Sequence, residues 1–284
     1  MLDIIIDSLK DSIKLLPFLF LTYLLMEFLE HRTGAAAEKR IKMAGRTGPL
    51  WGGLLGVMPQ CGFSAAASSL YAGRVITAGT LLAVFLSTSD EMLPIMISRA
   101  VAPGTIIKIL AAKAALGIIS GFILDLTCRY VIKRPAHHMD VHKICQAEHC
   151  HCENGILHSA FMHTVKIFAW ILIISLALNL VIGFIGEEAL EGLFVGIPVA
   201  GEIIAALIGL IPNCASSVVI TQLYLDQVIG AGPMMAGLLV NAGVGLVVLF
   251  RLNHDRRKNL EIVGVLYGFG VFWGILTELL GIIF

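Results

Sequence analysis

Long apolar stretches alternate with short charged ones along this chain. The charged residues concentrate in 30–46, 129–153 and 251–261, and the stretches between them exceed the roughly 20 apolar residues that an α-helix needs to cross a bilayer. The chain has 57% hydrophobic and 14% charged residues, whereas a soluble domain carries roughly 25% charged residues. The pattern therefore predicts an all-α polytopic membrane protein.

The predicted helices follow the same order in both halves of the chain. The first half is predicted to contain a helix at about 8–30, an interrupted segment at 50–73 and crossings at 76–98 and 105–130. The second half is predicted to contain a helix at about 160–185, an interrupted segment at 200–225 and crossings at 229–250 and 259–283. Each interrupted segment leaves roughly ten residues on either side of a proline, and these rise only about 15 Å, half a membrane. We therefore expect two re-entrant helical hairpins, with full-length kinked helices as the alternative.

One motif occurs twice in the sequence. Residues 56–61, GVMPQC, have their counterpart 153 residues later in residues 209–214, GLIPNC, and the match continues without a gap beyond both motifs. In a membrane chain, duplicated hydrophobic segments that are interrupted by proline or glycine are the best indication of a transport site. The duplication predicts a membrane repeat at 1–130, a linker at 131–158 and a second membrane repeat at 159–284.

Charge bias predicts how the chain lies in the membrane. Basic residues at 32–46, in the linker 131–158 and at 251–258 should face the cytoplasm, and the acidic residues at 187–191 should face outward. Only Arg99 departs clearly from this rule. The repeats would then be inverted copies of about five helical segments each. The N-terminus lacks the features of a signal peptide, so we expect the first helix to remain in the mature protein. The charge bias predicts a multi-pass protein of the cell's inner (plasma) membrane with both termini outside.

Polar side chains recur at equivalent positions near the two predicted hairpin tips. Backbone at membrane depth can be irregular only where protein or a water-filled cavity satisfies its polar groups. Such backbone frees carbonyl groups for a cation, or half-helix N-termini for an anion. The alternative is that small residues merely permit close helix packing. The candidate substrate-binding residues at the tips are Gln60, Cys61, Ser64, Asn213, Cys214 and Ser217.

Two adjacent carboxylates lie within the predicted crossing at 76–98. A charge at the centre of a bilayer costs at least about 2.5–3.5 kcal/mol, so Asp90 and Glu91 are candidate site residues. Both could line one site only if the helix unwinds, which the neighbouring polar residues and a following proline favour. Thr88 is added to the site, together with its counterpart Asn241 in the second repeat. The alternative is a surface loop in which both carboxylates are solvated.

Other charged residues lie in apolar segments. Asp125 and Glu278 occupy matched positions in the last helix of each repeat and are candidates for proton carriers or gating carboxylates, with a snorkelling surface position as the alternative. Glu27 and Glu202 are weaker candidates. Lys108 and Lys113 could neutralise a carboxylate in the empty site, although lysines in such helices more often snorkel to the interface.

The linker is crowded with metal-binding side chain types. Imidazole and thiolate groups at this density bind transition metals, but the spacing is not that of a closed zinc finger. We expect a flexible collector or sensor of metal ions. The candidate ligands are His137, His138, His142, Cys145, His149, Cys150, His151 and Cys152.

Several functional classes are disfavoured by the sequence. No glycine-rich phosphate-binding loop is present, so ATP is not expected as the energy source. A nucleophile with a nearby base is also lacking, which makes an enzyme unexpected, and no cofactor is predicted. The formal net charge is zero, which gives no indication of a nucleic-acid partner. The expected partners are a transition-metal ion and the lipid bilayer, with a homodimer as a further option.

Three motifs resemble one known family. They are Met58–Ser64 (MPQCGFS), Ser87–Pro94 (STSDEMLP) and Ile211–Cys214 (IPNC). On these motifs the chain resembles the family of ten-helix heavy-metal exporters, whose members are often labelled manganese transporters or arsenic efflux proteins. The resemblance extends over nearly the whole chain and implies metal export.

The ligand preferences of manganese(II) and arsenite distinguish these two possible substrates. Manganese(II) prefers carboxylate and carbonyl oxygens, whereas arsenite would favour the two cysteines. The favoured hypothesis is a secondary exporter of a divalent transition-metal ion, with Mn(II) as the favoured substrate. This exporter would work by alternating access around the two tips. The alternatives are an exporter of an anionic or organometallic solute, and a channel or metal-responsive receptor without coupled transport.

Overall fold

The fold is entirely helical over the residues that can be described. The computed structural model describes 47–58, 61–89, 92–130, 200–282 and Phe284, together with scattered helical residues within 17–24 and 161–176. These ranges contain ten helices and no strand. The helices are α1 (Gly48–Gly56), α2 (Cys61–Ala72), α3 (Ala78–Ser87), α4 (Met92–Ser98), α5 (Pro103–Tyr130), α6 (Ala200–Gly209), α7 (Cys214–Leu225), α8 (Ala231–Val240), α9 (Gly245–Leu252) and α10 (Arg256–Leu279).

The duplicated sequence gives duplicated helices. The helices α2, α3, α4 and α5 begin at Cys61, Ala78, Met92 and Pro103. Each of the helices α7 to α10 begins 153 residues after its counterpart. Two of the pairs also agree in length, since α2 and α7 both have 12 residues and α3 and α8 both have 10. The five-helix order therefore occurs twice, while the inverted orientation of the repeats and the hairpin form of α1–α2 and α6–α7 stay predictions.

Four helical stretches within the described ranges are long and apolar enough to cross a membrane. They are Ala78–Ser98, Pro103–Tyr130, Ala231–Leu252 and Arg256–Leu279. Most of the apolar window is buried in the first and third stretches (75% and 89%), but little of it in the second and fourth (33% and 28%). The inner pair therefore forms the core, and the outer pair presents apolar side chains to lipid. The chain is a multi-pass membrane protein.

Both inner stretches are broken near their middle, and the second break has a visible cause. The side chain of Asn241, which ends α8, accepts a hydrogen bond from the backbone N–H of Gly243 (3.0 Å). Gly243 has a φ of 51°, which glycine adopts without the steric cost that a Cβ atom adds. This turn ends α8 before α9 begins at Gly245.

Glycines bring each outer helix against the inner helix of its own repeat. A Cβ placed on Gly121 of α5 would lie 2.5 Å from the carbonyl oxygen of Gly79 in α3. A Cβ on Gly274 of α10 would lie 2.8 Å from the carbonyl oxygen of Gly232 in α8. The two backbones can approach this closely only because side chains are absent, as in other membrane helix pairs with small interfacial residues.

Helices of the two repeats pack against each other. Helix α2 of the first repeat packs on α9 of the second, and α7 of the second packs on α4 of the first. The indole N–H of Trp273 donates to the hydroxyl oxygen of Ser120 (2.8 Å), and these residues occupy equivalent positions in the two repeats. The outer helices α5 and α10 therefore contact each other at equivalent positions.

Candidate functional site

A small pocket lies where the breaks of the two inner stretches meet. It is lined by Thr88, Ser89, Met92, Lys113, Ser217, Leu238 and Asn241, so both repeats contribute to it. Three of these residues, Thr88, Ser217 and Asn241, were predicted for the site from the sequence, and all three are buried. The pocket is therefore a meeting point of the repeats at which polar groups are kept away from bulk water.

Lys113 supplies the positive charge of this pocket. Its side chain extends from α5, is only 1% exposed, and donates hydrogen bonds to the backbone carbonyl groups of Thr88 and Leu238, the latter at 2.9 Å. These carbonyls belong to the C-terminal ends of α3 and α8, where the helix dipole concentrates negative charge. One ammonium group thus bridges two half-helices from different repeats.

The position of Lys113 differs from the one that the sequence favoured. We expected lysines in this helix to snorkel to the membrane interface, and Lys108 is indeed exposed. Lys113 instead lies in the protein interior, because the broken helices offer it carbonyl oxygens there. Its counterpart in the second repeat is Leu266, which is fully buried. The charge at the site is therefore contributed by one repeat only.

Hydroxyl groups satisfy the other carbonyls at the end of α3. The Ser87 hydroxyl donates to the Ala83 carbonyl (2.7 Å), and the Thr88 hydroxyl donates to the Val84 carbonyl (2.7 Å). Ser89 donates to the carbonyl of Ser87 (3.1 Å). The short run of hydroxyl residues therefore lets the helix end inside the protein with its carbonyl groups paired.

The predicted residues at the tips divide into pocket and packing positions. Asn213 caps α7, since its side chain accepts from the backbone N–H of Ser216 (3.2 Å). Ser217 lines the pocket. Its counterpart Ser64 packs instead against α9, where a Cβ placed on Gly245 would lie 2.8 Å from the Cβ of Ser64.

Some predicted ligands lie outside the described residues. These are Gln60, Asp90 and Glu91, the side chains of Cys61 and Cys214, and the linker ligands between 137 and 152. Over the part of the chain that is described, no group of three or more His, Cys, Asp or Glu side chains could hold a metal ion. Their assignment as ligands therefore stays a prediction.

Asp125 and Glu278 lie away from the pocket, at the opposite ends of the same half-helices. The backbone N–H of Gly79 donates to Asp125 (2.9 Å), and the backbone N–H of Gly232 donates to Glu278 (2.9 Å). Gly79 and Gly232 lie in the first turns of α3 and α8, where a negative charge is favourable. Each carboxylate therefore compensates the N-terminus of the helix whose C-terminus faces Lys113.

Comparisons with known proteins add one match. A family model described as "Putative, 10TM heavy-metal exporter" matches residues 1–154, which is more than half of the chain. No curated protein and no solved structure matches the chain. The matched part contains the first repeat with Thr88 and Lys113.

Proposed function

Because the chain belongs to the family of ten-transmembrane heavy-metal exporters, we propose that it is a secondary active transporter that exports a divalent transition-metal ion, with Mn(II) as the preferred substrate. The observation that carries this proposal is the pair of carbonyl groups, from Thr88 and Leu238, that already holds an ammonium group between the repeats. A site that binds one cation at two helix C-termini can bind another.

The ligand types around this position suit manganese. The described pocket offers carbonyl oxygens, the hydroxyl group of Thr88 and the amide group of Asn241. Asp90 and Glu91 follow Ser89 directly in sequence and would supply the negative charge. Manganese(II) prefers such hard oxygen ligands, whereas softer ions would gain little from them.

Lys113 and the metal ion would occupy the carbonyl groups in turn. At a separation of roughly 4 Å and an effective dielectric constant of about 20, an ammonium group repels a divalent ion by about 8 kcal/mol. The metal therefore binds only after the ammonium group leaves the carbonyls. When the metal departs, Lys113 returns and keeps the helix ends neutralised.

Alternating access would use the two-repeat construction. The pocket is built from both repeats, so a rotation of one against the other changes the side from which the pocket opens. Inverted repeats would make the two openings similar in structure. The linker at 131–158 would collect metal ions on the cytoplasmic side.

The buried charge of Lys113 favours one second candidate. An ammonium group in a pocket, such as that of Lys113, also attracts anions. An anionic or organometallic solute, such as an arsenical, would then be the exported substrate.

The adjacent carboxylates Asp90 and Glu91 distinguish the two candidates. Purified protein in liposomes is tested for uphill transport of a panel of divalent metal ions and of arsenite, before and after Asp90→Asn together with Glu91→Gln. For a metal exporter, we expect Mn(II) transport to fall roughly tenfold or more. Retained or faster transport after the substitutions would favour an anion, and purely downhill movement would indicate a channel.

A matched control comes from the same protein. Lys108→Met removes an exposed charge from α5, outside the pocket, and should change transport by no more than about twofold. If no divalent ion is moved uphill by the wild-type protein under any condition that supports arsenite transport, the metal proposal is wrong.

A further inference from the structure

The carboxylates at the N-termini of α3 and α8 have different surroundings. Asp125 accepts two hydrogen bonds, from the backbone N–H of Gly79 (2.9 Å) and from the hydroxyl group of Thr77 (2.7 Å). In the second repeat, Gly230 occupies the position of Thr77 and has no hydroxyl group to donate. Glu278 accepts from the backbone N–H of Gly232 (2.9 Å). The second carboxylate therefore accepts fewer hydrogen bonds from the described part of the protein than the first.

A second carboxylate lies beside Glu278. Glu202, in the first turn of α6, is only 3% exposed and occupies the position of Pro49 in the first repeat. A Cβ placed on Gly232 would lie 2.6 Å from the Oε2 atom of Glu278 and 3.0 Å from the Oε1 atom of Glu202. Both carboxylates therefore face the same methyl-sized space.

Glu202 has no hydrogen-bond or ion-pair partner within the described ranges of the chain. The helices packed around it offer no counter-charge there. Helix α8 contains no ionisable side chain, and the hydroxyl groups of Tyr224 on α7 and Tyr267 on α10 donate to backbone carbonyls. Asp226, which follows α7, pairs with Arg99 at an exposed position.

Glu202 is buried and Glu278 lies at the exposed end of α10, and two carboxylates that face one space are stable when they share a proton. A buried charge without a partner is costly, and like charges at short range cannot both persist without a large penalty. A single bound proton removes both costs, as in other closely placed carboxylate pairs. The first repeat does not need such a proton, because Asp125 is hydrogen-bonded and has a proline as its neighbour.

We propose that Glu202 and Glu278 share a proton and form the proton-binding site of the transporter, whereas Asp125 is a structural helix cap. The inference rests on the proposed function, since it identifies the coupling ion of that exporter as a proton. Helix α8 connects the two sites: Gly232 near one end contacts the carboxylate pair, and Leu238 near the other end contacts Lys113. Loss of the proton strengthens the hold of Glu278 on the N-terminus of α8, which biases the position of that helix.

The bound proton can be detected without any metal ion. Infrared spectra of the purified wild-type protein should show a protonated-carboxyl C=O band that shifts when glutamate is labelled with carbon-13. We expect Glu202→Gln to abolish this band. Absence of the band from the wild type, or its persistence in both Glu202→Gln and Glu278→Gln, would overturn the inference.

Transport provides the second test. In liposomes, Glu202→Gln should lose the acceleration of Mn(II) transport by a pH gradient and the dependence of its rate on pH. The matched variant Asp125→Asn should keep the pH dependence and lower the unfolding temperature. If uphill Mn(II) transport occurs but Glu202→Gln keeps its full pH dependence, the inference fails and the proposed function stands. If the band is present but no metal moves, the proposed function fails and the proton site stands.

A further variant, Gly230→Thr, tests the inference without changing Glu202. It adds a hydroxyl group that can donate a hydrogen bond to Glu278. A Cβ placed on Gly230 would lie 3.0 Å from the Oε2 atom of Glu278, and the φ of Gly230 is −75°, which any residue adopts. Gly230→Thr recreates the cap of the first repeat and should weaken the protonated-carboxyl band in a normally folded protein. An unchanged band in this folded variant would contradict the shared proton.

Discussion

Lys113 shows how far a single residue can be interpreted from its sequence neighbours. An isolated lysine in an apolar helix is usually expected at the membrane interface. The three elements that make Lys113 internal, α5, α3 and α8, are distant in sequence, and only the folded chain brings their atoms together. Thr88 and Asn241 could be predicted because the repeat aligns them and both are polar within apolar segments. The charge between them was the less favoured of two alternatives, because an apolar helix does not show whether its lysine points inward or to the interface.

Removal of the Lys113 ammonium group should separate binding from transport. In Lys113→Met, the metal ion no longer competes with a resident cation, so we expect Mn(II) to bind more tightly by roughly tenfold, while net transport slows. Calorimetric binding and liposome transport measure the two effects on the same preparation. Lys108→Met serves as the control. Weaker Mn(II) binding by Lys113→Met would show that the lysine does not compete with the metal.

At the scale of elements, the sequence predicted where helices stop when a proline or a cluster of polar residues marked the position. The interruptions near Pro59 and Pro212 and the break near Asp90 were expected for this reason. The break after α8 was not expected, because no proline lies between Asn241 and Val244. Its signal is an asparagine two residues before a glycine, which forms the turn observed there.

Alanine substitutions at two glycines, Gly243 in the turn and Gly264 in α10, should have opposite effects on stability. Gly243→Ala places a side chain at a φ of 51°, which should destabilise the protein by about 1 kcal/mol. Gly264 lies in α10 with open space around its Cβ position, so Gly264→Ala should stabilise the protein by up to about 1 kcal/mol. Thermal unfolding in detergent would measure both variants. Equal shifts in the same direction would contradict this account of the break.

At the scale of the whole molecule, the duplication in sequence predicted the order and the spacing of the helices. It could do so because the spacing of 153 residues is kept without a gap through the matched helices. The pattern did not reveal that α2 packs on α9, since contacts between repeats depend on surface shapes. The linker, most of the first helix and the acidic pair fall outside the described residues, so those predictions stand as made.

The inverted arrangement predicts opposite exposure of two equivalent positions. Arg74 and Gln227 are 153 residues apart, and both have a positive φ, 56° and 60°. In a variant whose native cysteines are replaced, Arg74→Cys should react with an impermeant maleimide only from the cytoplasmic side. Gln227→Cys should react only from the outside. Labelling of both positions from one side would show that the repeats are parallel.

The glycine contacts between the outer and inner helices carry a consequence for the surrounding lipid. The backbones are in close contact at Gly121 and at Gly274. This close packing restricts sliding of α3 along α5 and of α8 along α10. Each outer helix must then follow its inner partner as one solid piece. A rotation of one such pair against the other would therefore change the surface that contacts the acyl chains. Each transport cycle would then have to deform the surrounding membrane, so its rate would depend on membrane elasticity.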